Sequence, residues 1–196
     1  MESGTPDPGA RGRAEGLATR IKSLIRAVPD FPIPGIRFRD VMGLVEDADG
    51  FRAATVALAR RFREAMPEVV VGIEARGFIF GVPVAQELGV GFVPVRKAGK
   101  LPGEVRGVDY DLEYGTARVE MQVVAPIGAG TRVLLIDDLV ATGGSAAAAI
   151  ELIRGMGGEV VGAGFVVDLP ELPGASRLRG LGVEVFALCG FSAADP

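Results

Sequence analysis

Residues 133–145 read VLLIDDLVATGGS, and this stretch decides both the fold and the kind of ligand that we expect the chain to bind. The apolar run from Val133 to Ile136 predicts a buried strand, and the Ala-rich residues after Ser145 predict a helix. A turn of small residues joins the two. The free backbone N–H groups at the beginning of a helix, together with the helix dipole, favour a bound phosphate group.

Two adjacent carboxylates, Asp137 and Asp138, lie between the strand and the turn. They are unfavourable beside a phosphate unless they bind another part of the same ligand. Ribose hydroxyls donate hydrogen bonds to carboxylates, so we interpret the stretch as a site for ribose 5-phosphate. The alternative, a capped helix after a buried strand, explains one aspartate but not the whole stretch. The turn lacks both the Walker ending Gly-Lys-Ser/Thr and the dinucleotide spacing Gly-x-Gly-x-x-Gly.

Strands and helices alternate along the rest of the sequence, which predicts an α/β fold with a mostly parallel twisted sheet and helices on both faces. Hydrophobic patterns predict strands at 69–73, 92–95, 117–123, 132–136, 159–167 and 183–188. Helices are expected at 14–27, after a capping Asp49, at 78–88 and at 144–156. The polar segment from Lys97 to Gly115 holds four glycines and is predicted to be a loop that covers a ligand.

Composition restricts the chemistry that is available to the chain. It has no histidine, which excludes Ser-His and Cys-His catalysis and histidine-bound metals. Its formal net charge of −4 argues against a nucleic-acid module. The single cysteine, Cys189, fits a reducing compartment, and no stretch approaches the roughly 20 apolar residues of a membrane span. We therefore expect a cytoplasmic protein with a disordered tail at 1–13 and one domain at 14–196.

The stretch at 133–145 resembles the phosphoribosyl-pyrophosphate (PRPP) motif of type I phosphoribosyltransferases. Four further segments resemble the adenine-specific family in content and order, and they read FPIPGIRFRD at 31–40, EARGF at 74–78, RKAGKLPG at 96–103 and LEYG at 112–115. The resemblance implies a type I phosphoribosyltransferase fold with a flexible hood loop. It also implies transfer of 5-phosphoribosyl from PRPP to adenine, which yields AMP and pyrophosphate.

The resemblance assigns a role to individual residues. For the 5-phosphate and ribose it implies Asp137, Asp138, Ala141, Thr142, Gly143, Gly144 and Ser145. For the rest of PRPP it implies Ala75, Arg76, Arg96, Lys97, Lys100 and Tyr114, and cations near a leaving pyrophosphate stabilise its developing charge. Adenine is expected to stack between Phe38 and Leu169, while backbone groups of Arg37 and Arg39 read its edge. Glu113 is the expected acid/base residue, and Arg76 is the second catalytic residue.

Partners and cofactors follow from the same resemblance. Mg²⁺ is expected to be held mainly by PRPP and water, without a dedicated protein site. A homodimer is expected, with no nucleic acid and no membrane as partners. Two alternatives remain at this point, namely a phosphoribosyltransferase for guanine, xanthine or orotate, and a non-catalytic regulator that senses PRPP.

Overall fold

A computed structural model of the chain describes residues 8–111 and 115–195. Backbone contacts divide the chain into two compact units, one that extends to Ala54 and one that comprises Thr55–Asp195. The single domain that we predicted for 14–196 stays a prediction. No helix in the described ranges is long and apolar enough to cross a lipid bilayer.

The first unit consists of short elements around a two-stranded sheet. The strands pair antiparallel, with Val28 opposite Phe38. Between them, the N–H of Phe31 donates to the carbonyl of Ile36 at 3.2 Å, and the N–H of Ile36 donates to the carbonyl of Ile33 at 3.2 Å. The Pro-rich connection is therefore a compact turn rather than the extended segment that we expected. The elements are α1 (Pro8–Leu24), β1 (Arg26–Pro29), β2 (Arg37–Asp40), α2 (Met42–Glu46) and the first half of α3 (Ala48–Phe62).

Both ends of the first predicted helix, and the beginning of the second, differ from expectation. The helix α1 begins at Pro8, so residues 8–13 of the predicted disordered tail are helical, and it ends at Leu24 rather than Ala27. Asp47, not Asp49, caps α3, because its carboxylate accepts a hydrogen bond of 2.6 Å from the backbone N–H of Gly50. Aspartate is a favourable capping residue at either position, so the sequence did not decide between Asp47 and Asp49. With Asp47 as the cap, α3 begins two residues earlier than expected.

The second unit is built on a seven-stranded sheet in the order β5-β6-β4-β3-β7-β8-β9. The five strands from β4 to β9 in this order pair in parallel, whereas β6 and β5 extend the sheet antiparallel at one edge. This architecture confirms the predicted α/β fold with a mostly parallel sheet. The strands are β3 (Val69–Ile73), β4 (Gly91–Lys97), β5 (Val105–Asp111), β6 (Thr116–Gln122), β7 (Arg132–Val140), β8 (Glu159–Asp168) and β9 (Val185–Gly190).

Helices cover both faces of this sheet, as the continuous apolar strands require. On one face, Val71 and Leu135 join a buried cluster with Ala149 and Ile153 of α5 (Gly144–Gly155). The other face is covered by the end of α3 and by α4 (Arg76–Leu88), and α6 (Gly174–Gly180) packs near the carboxyl end of β8. The parallel strands thus end at one edge, where the strand-to-helix turns meet.

Two elements of the second unit were not predicted. The segment from Lys97 to Gly115 contains β5, so the expectation of a loop without strands was wrong. In β5 the exposed Asp109 and Asp111 alternate with the partly buried Val108 and Tyr110, a weak pattern that the surrounding glycines obscured. The helix α6 is only seven residues long and has no apolar repeat that could have revealed it.

The packing of α3 against β8 yields a prediction for stability. A Cβ atom at Gly162 would lie 2.4 Å from Cε1 of Phe62, a fully buried ring. Overpacking of this kind costs typically about 1–3 kcal/mol, so Gly162→Ala should lower the free energy of unfolding by that amount in urea titrations. Gly155→Ala is the matched control, because no atom lies within 4 Å of its Cβ position. Equal stability of the two variants would contradict this packing.

Candidate active site

The site lies where two neighbouring parallel strands each lead into a helix. The strands β3 and β7 pair with Gly72 opposite Ile136, so the residues that follow both strands emerge at the same edge of the sheet. From there α4 begins at Arg76 and α5 at Gly144. Two helix N-termini, with their partial positive charge, therefore lie beside the end of β7.

Asp137 and Asp138 are the two carboxylates at this edge, and both are buried, at 9% and 4% relative exposure. The backbone N–H of Asp138 donates a hydrogen bond of 2.9 Å to the carboxylate of Asp137. The Nε atom of Arg76 lies 2.9 Å from Oδ2 of Asp138. This contact is an ion pair rather than an aligned hydrogen bond, because no described donor meets hydrogen-bond geometry at that oxygen.

Burial dominates the electrostatics of the two carboxylates. It raises the pKa of Asp137 well above its ordinary value, and the neighbouring charge of Asp138 raises it further. Burial also raises the pKa of Asp138, while the charge of Arg76 opposes that shift. The pair is thus costly in an empty site, and hydroxyl donors from a ligand would offset part of this cost.

The turn after β7 comprises Ala141–Ser145, which we call the anion turn. Its Gly143 has a φ of 74° and precedes the first helical residue of α5 without a side-chain cap. The hydroxyl residue Thr142 is exposed and Ser145 is partly buried, whereas Gly143 and Gly144 are buried. The predicted residues of the anion turn therefore lead without interruption into the first turn of α5.

The predicted cations lie near the ends of β3 and β4. Arg96 forms an ion pair with Glu74, with both Nε and Nη2 at 3.2 Å from its carboxylate, and donates a hydrogen bond of 2.9 Å to the carbonyl of Lys100. This pairing with Arg96 lowers the pKa of Glu74. Lys97 and Lys100 are exposed, as is Ala75, whose peptide bond to Glu74 is cis.

A cavity of about 460 Å³ brings part of these groups together, and of the anion turn its described lining includes Ser145 but not Ala141–Gly144. Lys97 from β4 and Tyr110 from β5 contribute to its wall. It is lined by Ile73, Glu74, Ala75, Arg76, Lys97, Tyr110, Val119, Asp137, Asp138, Leu139 and Ser145. Arg96 and Lys100 are absent from the described lining, so the structure assembles only part of the predicted cation set around this cavity.

Sequence reasoning missed Glu74 and Tyr110 as parts of this wall. Glu74 could have been predicted, because it directly follows an apolar strand sequence just as Asp137 does, and ligands bind at the carboxyl ends of parallel strands. Tyr110 was overlooked because it lay within the predicted loop. Its ring lies 3.3 Å from the Cβ position of Gly144, and burial raises the pKa of its hydroxyl.

The residues predicted to bind adenine fall in both units. In the first unit, the rings of Phe38 and Phe31 pack edge-on, with 5.2 Å between their centroids. Arg39 is buried, whereas Arg37 is exposed. Leu169 follows β8 in the second unit and is partly buried. Glu113 and Tyr114 lie outside the described residues. Contact of all these residues with one base stays a prediction.

Comparisons with known proteins identify the family. Residues 46–178 match the family model of the phosphoribosyl transferase domain, which defines the class of the fold and of its sugar-phosphate site. A protein of Nitrosospira multiformis named adenine phosphoribosyltransferase is 56% identical over 172 residues, which cover 88% of this chain and 98% of that relative. The chain belongs to the adenine phosphoribosyltransferase family, and it is a transferase.

Solved structures agree with this assignment. The adenine phosphoribosyltransferase of Thermoanaerobacter pseudethanolicus superimposes with a TM-score of 0.85 at 41% identity, covering 89% of this chain and 99% of the other. That of Saccharomyces cerevisiae, solved with an imino-altritol bisphosphate and adenine, gives a TM-score of 0.83 at 41% identity with the same coverage. The predicted fold and family are therefore confirmed.

The raised pKa of Asp137 gives a prediction on stability and pH. A carboxyl group whose pKa is higher in the folded state destabilises that state when it ionises, so stability falls as pH rises above the unfolded value of about 3.9. Asp137→Asn keeps an acceptor for the N–H of Asp138 but removes the charge. The free energy of unfolding at pH 7 should therefore rise, and its decline with pH should flatten.

Urea titrations between pH 4 and 8 measure this effect. Asp49→Asn is the control, because the Asp49 side chain is 89% exposed. A loss of stability at pH 7 in Asp137→Asn, without a change in the pH profile, would contradict the electrostatic account of the pair.

Proposed function

We propose that the chain transfers the 5-phosphoribosyl group of PRPP to adenine and releases AMP and pyrophosphate. The observation that carries this proposal is the pair of buried carboxylates, Asp137 and Asp138, beside two helix N-termini. Helix N-termini bind phosphates, and carboxylates bind sugar hydroxyls. One ligand that needs both, with an anion at each end of a sugar, is PRPP.

In this proposal the anion turn holds the 5-phosphate. Backbone N–H groups of Ala141–Ser145 donate to its oxygens, and the hydroxyls of Thr142 and Ser145 add two further donors. Asp137 and Asp138 accept hydrogen bonds from the ribose hydroxyls. These contacts fix the sugar between the two helices and aim its anomeric carbon at the cavity.

The pyrophosphate would lie against Arg76 and the backbone of Ala75 at the beginning of α4. Arg76 already borders the sugar site through Asp138, so it links the binding of ribose to that of pyrophosphate. Lys97 and Lys100 supply further positive charge as the anomeric C–O bond breaks and negative charge develops on the leaving group. Arg96, the remaining predicted contact, orients this segment through Glu74 and the Lys100 carbonyl.

We propose that Mg²⁺ enters with PRPP and would be held mainly by that substrate and by water, beside Asp137 and Asp138. Within the described residues no group of three or more acidic, cysteine or histidine side chains is placed to hold a metal ion. Asp137 and Asp138 fit a substrate-bound cation, because carboxylates accept hydrogen bonds from its water ligands. When bound, the ion neutralises charge on the leaving pyrophosphate.

Adenine would stack between Phe38 and Leu169, with its edge read by backbone groups of Arg37 and Arg39. Glu113 acts as the acid/base residue beside the ring nitrogens, and Tyr114 contributes to the PRPP side. Closure of the hood loop, which is the segment from Lys97 to Gly115, excludes water. Water would otherwise hydrolyse the activated sugar. The nucleophilic ring nitrogen then bonds to the anomeric carbon as pyrophosphate leaves.

We also propose that the protein acts as a homodimer in the cytoplasm and that residues 14–196 form one functional domain. The basis for the domain is the family model, which spans the boundary between the two units. Equilibrium sedimentation of the native chain tests the dimer, and a monomer at micromolar concentration would exclude it.

The direct test is product formation from PRPP, Mg²⁺ and each candidate base. We expect AMP and pyrophosphate with adenine, and at least about 100-fold lower kcat/KM with guanine, xanthine or orotate, because a site that pairs with a base edge rejects bases that leave its polar groups unpaired. The double variant Asp137→Asn, Asp138→Asn should be inactive while it remains folded. Equal turnover with guanine, or an active double variant, would overturn the proposal.

A second test addresses the acid/base role of Glu113. Glu113→Ala should lower kcat by roughly 10²–10⁴-fold, because that is the usual contribution of a positioned proton-transfer group, while PRPP affinity changes little. Glu104→Ala is the control, since Glu104 is an exposed carboxylate in the same region of the chain. A variant that loses PRPP affinity but keeps kcat would show that Glu113 binds substrate instead.

A further inference from the structure

The anion turn is hydrogen-bonded to the segment that follows β8. This segment, which we call the connection, comprises Leu169–Gly174 and ends with the first residue of α6. The backbone N–H of Leu169 donates to the carbonyl of Val140 at 3.2 Å, and that of Gly174 donates to the carbonyl of Ala141 at 2.9 Å. These two hydrogen bonds attach both ends of the connection to the residues that open the anion turn.

Two glycines face each other where the connection meets the turn. A Cβ atom at Gly174 would lie 2.3 Å from the carbonyl oxygen of Ala141 and 2.9 Å from the backbone nitrogen of Gly143. In the opposite direction, a Cβ atom at Gly143 would lie 2.9 Å from the Cα atom of Gly174. The Cβ position at Gly174 also lies 2.7 Å from Cγ2 of Val140, a buried side chain. The other neighbours named here are backbone atoms, so the clash cannot be relieved by the movement of a flexible side chain.

We infer that Gly174 is a positioning residue for the anion turn, which sets where its N–H groups meet the 5-phosphate of PRPP or AMP. This inference rests on the proposed function of the turn. The turn has no side-chain cap of its own, and the helix α5 leaves its first N–H groups for the ligand. Its shape must therefore be held by neighbours, and the backbone of Gly174 is in direct contact with it.

The same connection carries Leu169, the proposed contact for adenine. Because its N–H is bonded to Val140, Leu169 and the anion turn belong to one hydrogen-bonded segment. A side chain at position 174 must displace the turn, the connection or both. Misplacement of a positioning group by about 1 Å can cost up to 10²-fold in rate, so even a methyl group should be measurable.

The test compares Gly174→Ala with two other glycine-to-alanine variants. Gly162→Ala introduces a clash in the core away from the turn, whereas Gly180→Ala lies at the other end of α6 with no atom within 4 Å of its Cβ position. For each variant we would measure the melting temperature, KM for PRPP and for adenine, and the dissociation constants of AMP and of pyrophosphate.

Gly174→Ala should raise KM for PRPP and the dissociation constant of AMP by about tenfold or more, since both ligands carry the 5-phosphate. Its affinity for pyrophosphate should stay within about twofold, because that ligand binds at α4 in the proposal. Gly162→Ala should lower the melting temperature without changing either constant, and Gly180→Ala should change neither. This separates a positioning role from a merely structural one.

Unchanged AMP affinity in Gly174→Ala, with native turnover intact, would overturn the inference alone. Equal losses of AMP and pyrophosphate affinity would also overturn it, because they indicate general disruption. Absence of turnover by the native chain would overturn the proposed function and this inference with it. If Gly174→Ala does not fold, replacing the Gly174 amide by an ester removes the donor to the Ala141 carbonyl without adding a side chain, although it also weakens the Pro173 carbonyl as the acceptor for the N–H of Arg177. The same loss of AMP affinity relative to pyrophosphate affinity is expected, and equal losses would overturn the inference.

Discussion

The burial of two adjacent carboxylates at the end of β7 is the constraint around which the second unit is organised. Asp137 and Asp138 are buried, and among the described residues Arg76 is the cation in direct contact with them. Such an arrangement disfavours the folded state unless nearby dipoles and charges compensate. The beginnings of α4 and α5 offset part of this cost, and the carboxylates are desolvated and fixed before a ligand arrives.

Backbone proximity, rather than side-chain packing, determines how closely these parts approach each other. A Cβ atom at Gly77 in the first turn of α4 would lie 2.9 Å from the backbone carbonyl oxygen of Ile136 and 3.3 Å from the Cα atom of Asp137. The anion turn meets the connection to α6 in the same way. Phosphate sites that use backbone N–H groups need this geometry, because the donors are precise only when the backbone itself is held. The sheet and its turns therefore hold the carboxylate pair and the anion turn in fixed positions relative to each other.

Continuous apolar strands were the most predictable part of the fold. The bounds of β3 were predicted to the residue, because Val69–Ile73 is buried throughout and its composition alone marks it. β5 was missed because it is a half-exposed strand at the edge of the sheet. α6 was missed because it is only seven residues long. The residues of the site also differ in how well the sequence predicts them. Asp137 and Asp138 followed from their place after an apolar run, whereas Tyr110 reaches the cavity only through antiparallel pairing between β5 and β6, which no local pattern encodes.

Under the proposed function, the groups that take part in the reaction belong to the second unit, whereas Arg37, Phe38 and Arg39 belong to the first. The family model begins at residue 46, so it covers Asp137, Asp138 and the anion turn but not the Phe31–Asp40 segment. That segment belongs to the first unit, where a cis-proline turn and the Phe31–Phe38 contact shape it. An enzyme that activates PRPP needs the same carboxylates and helix N-termini whichever base attacks. Under the proposed function, selectivity for a base can therefore change at Phe38 and Leu169 while the buried carboxylate pair, and the sheet that holds it, stay the same.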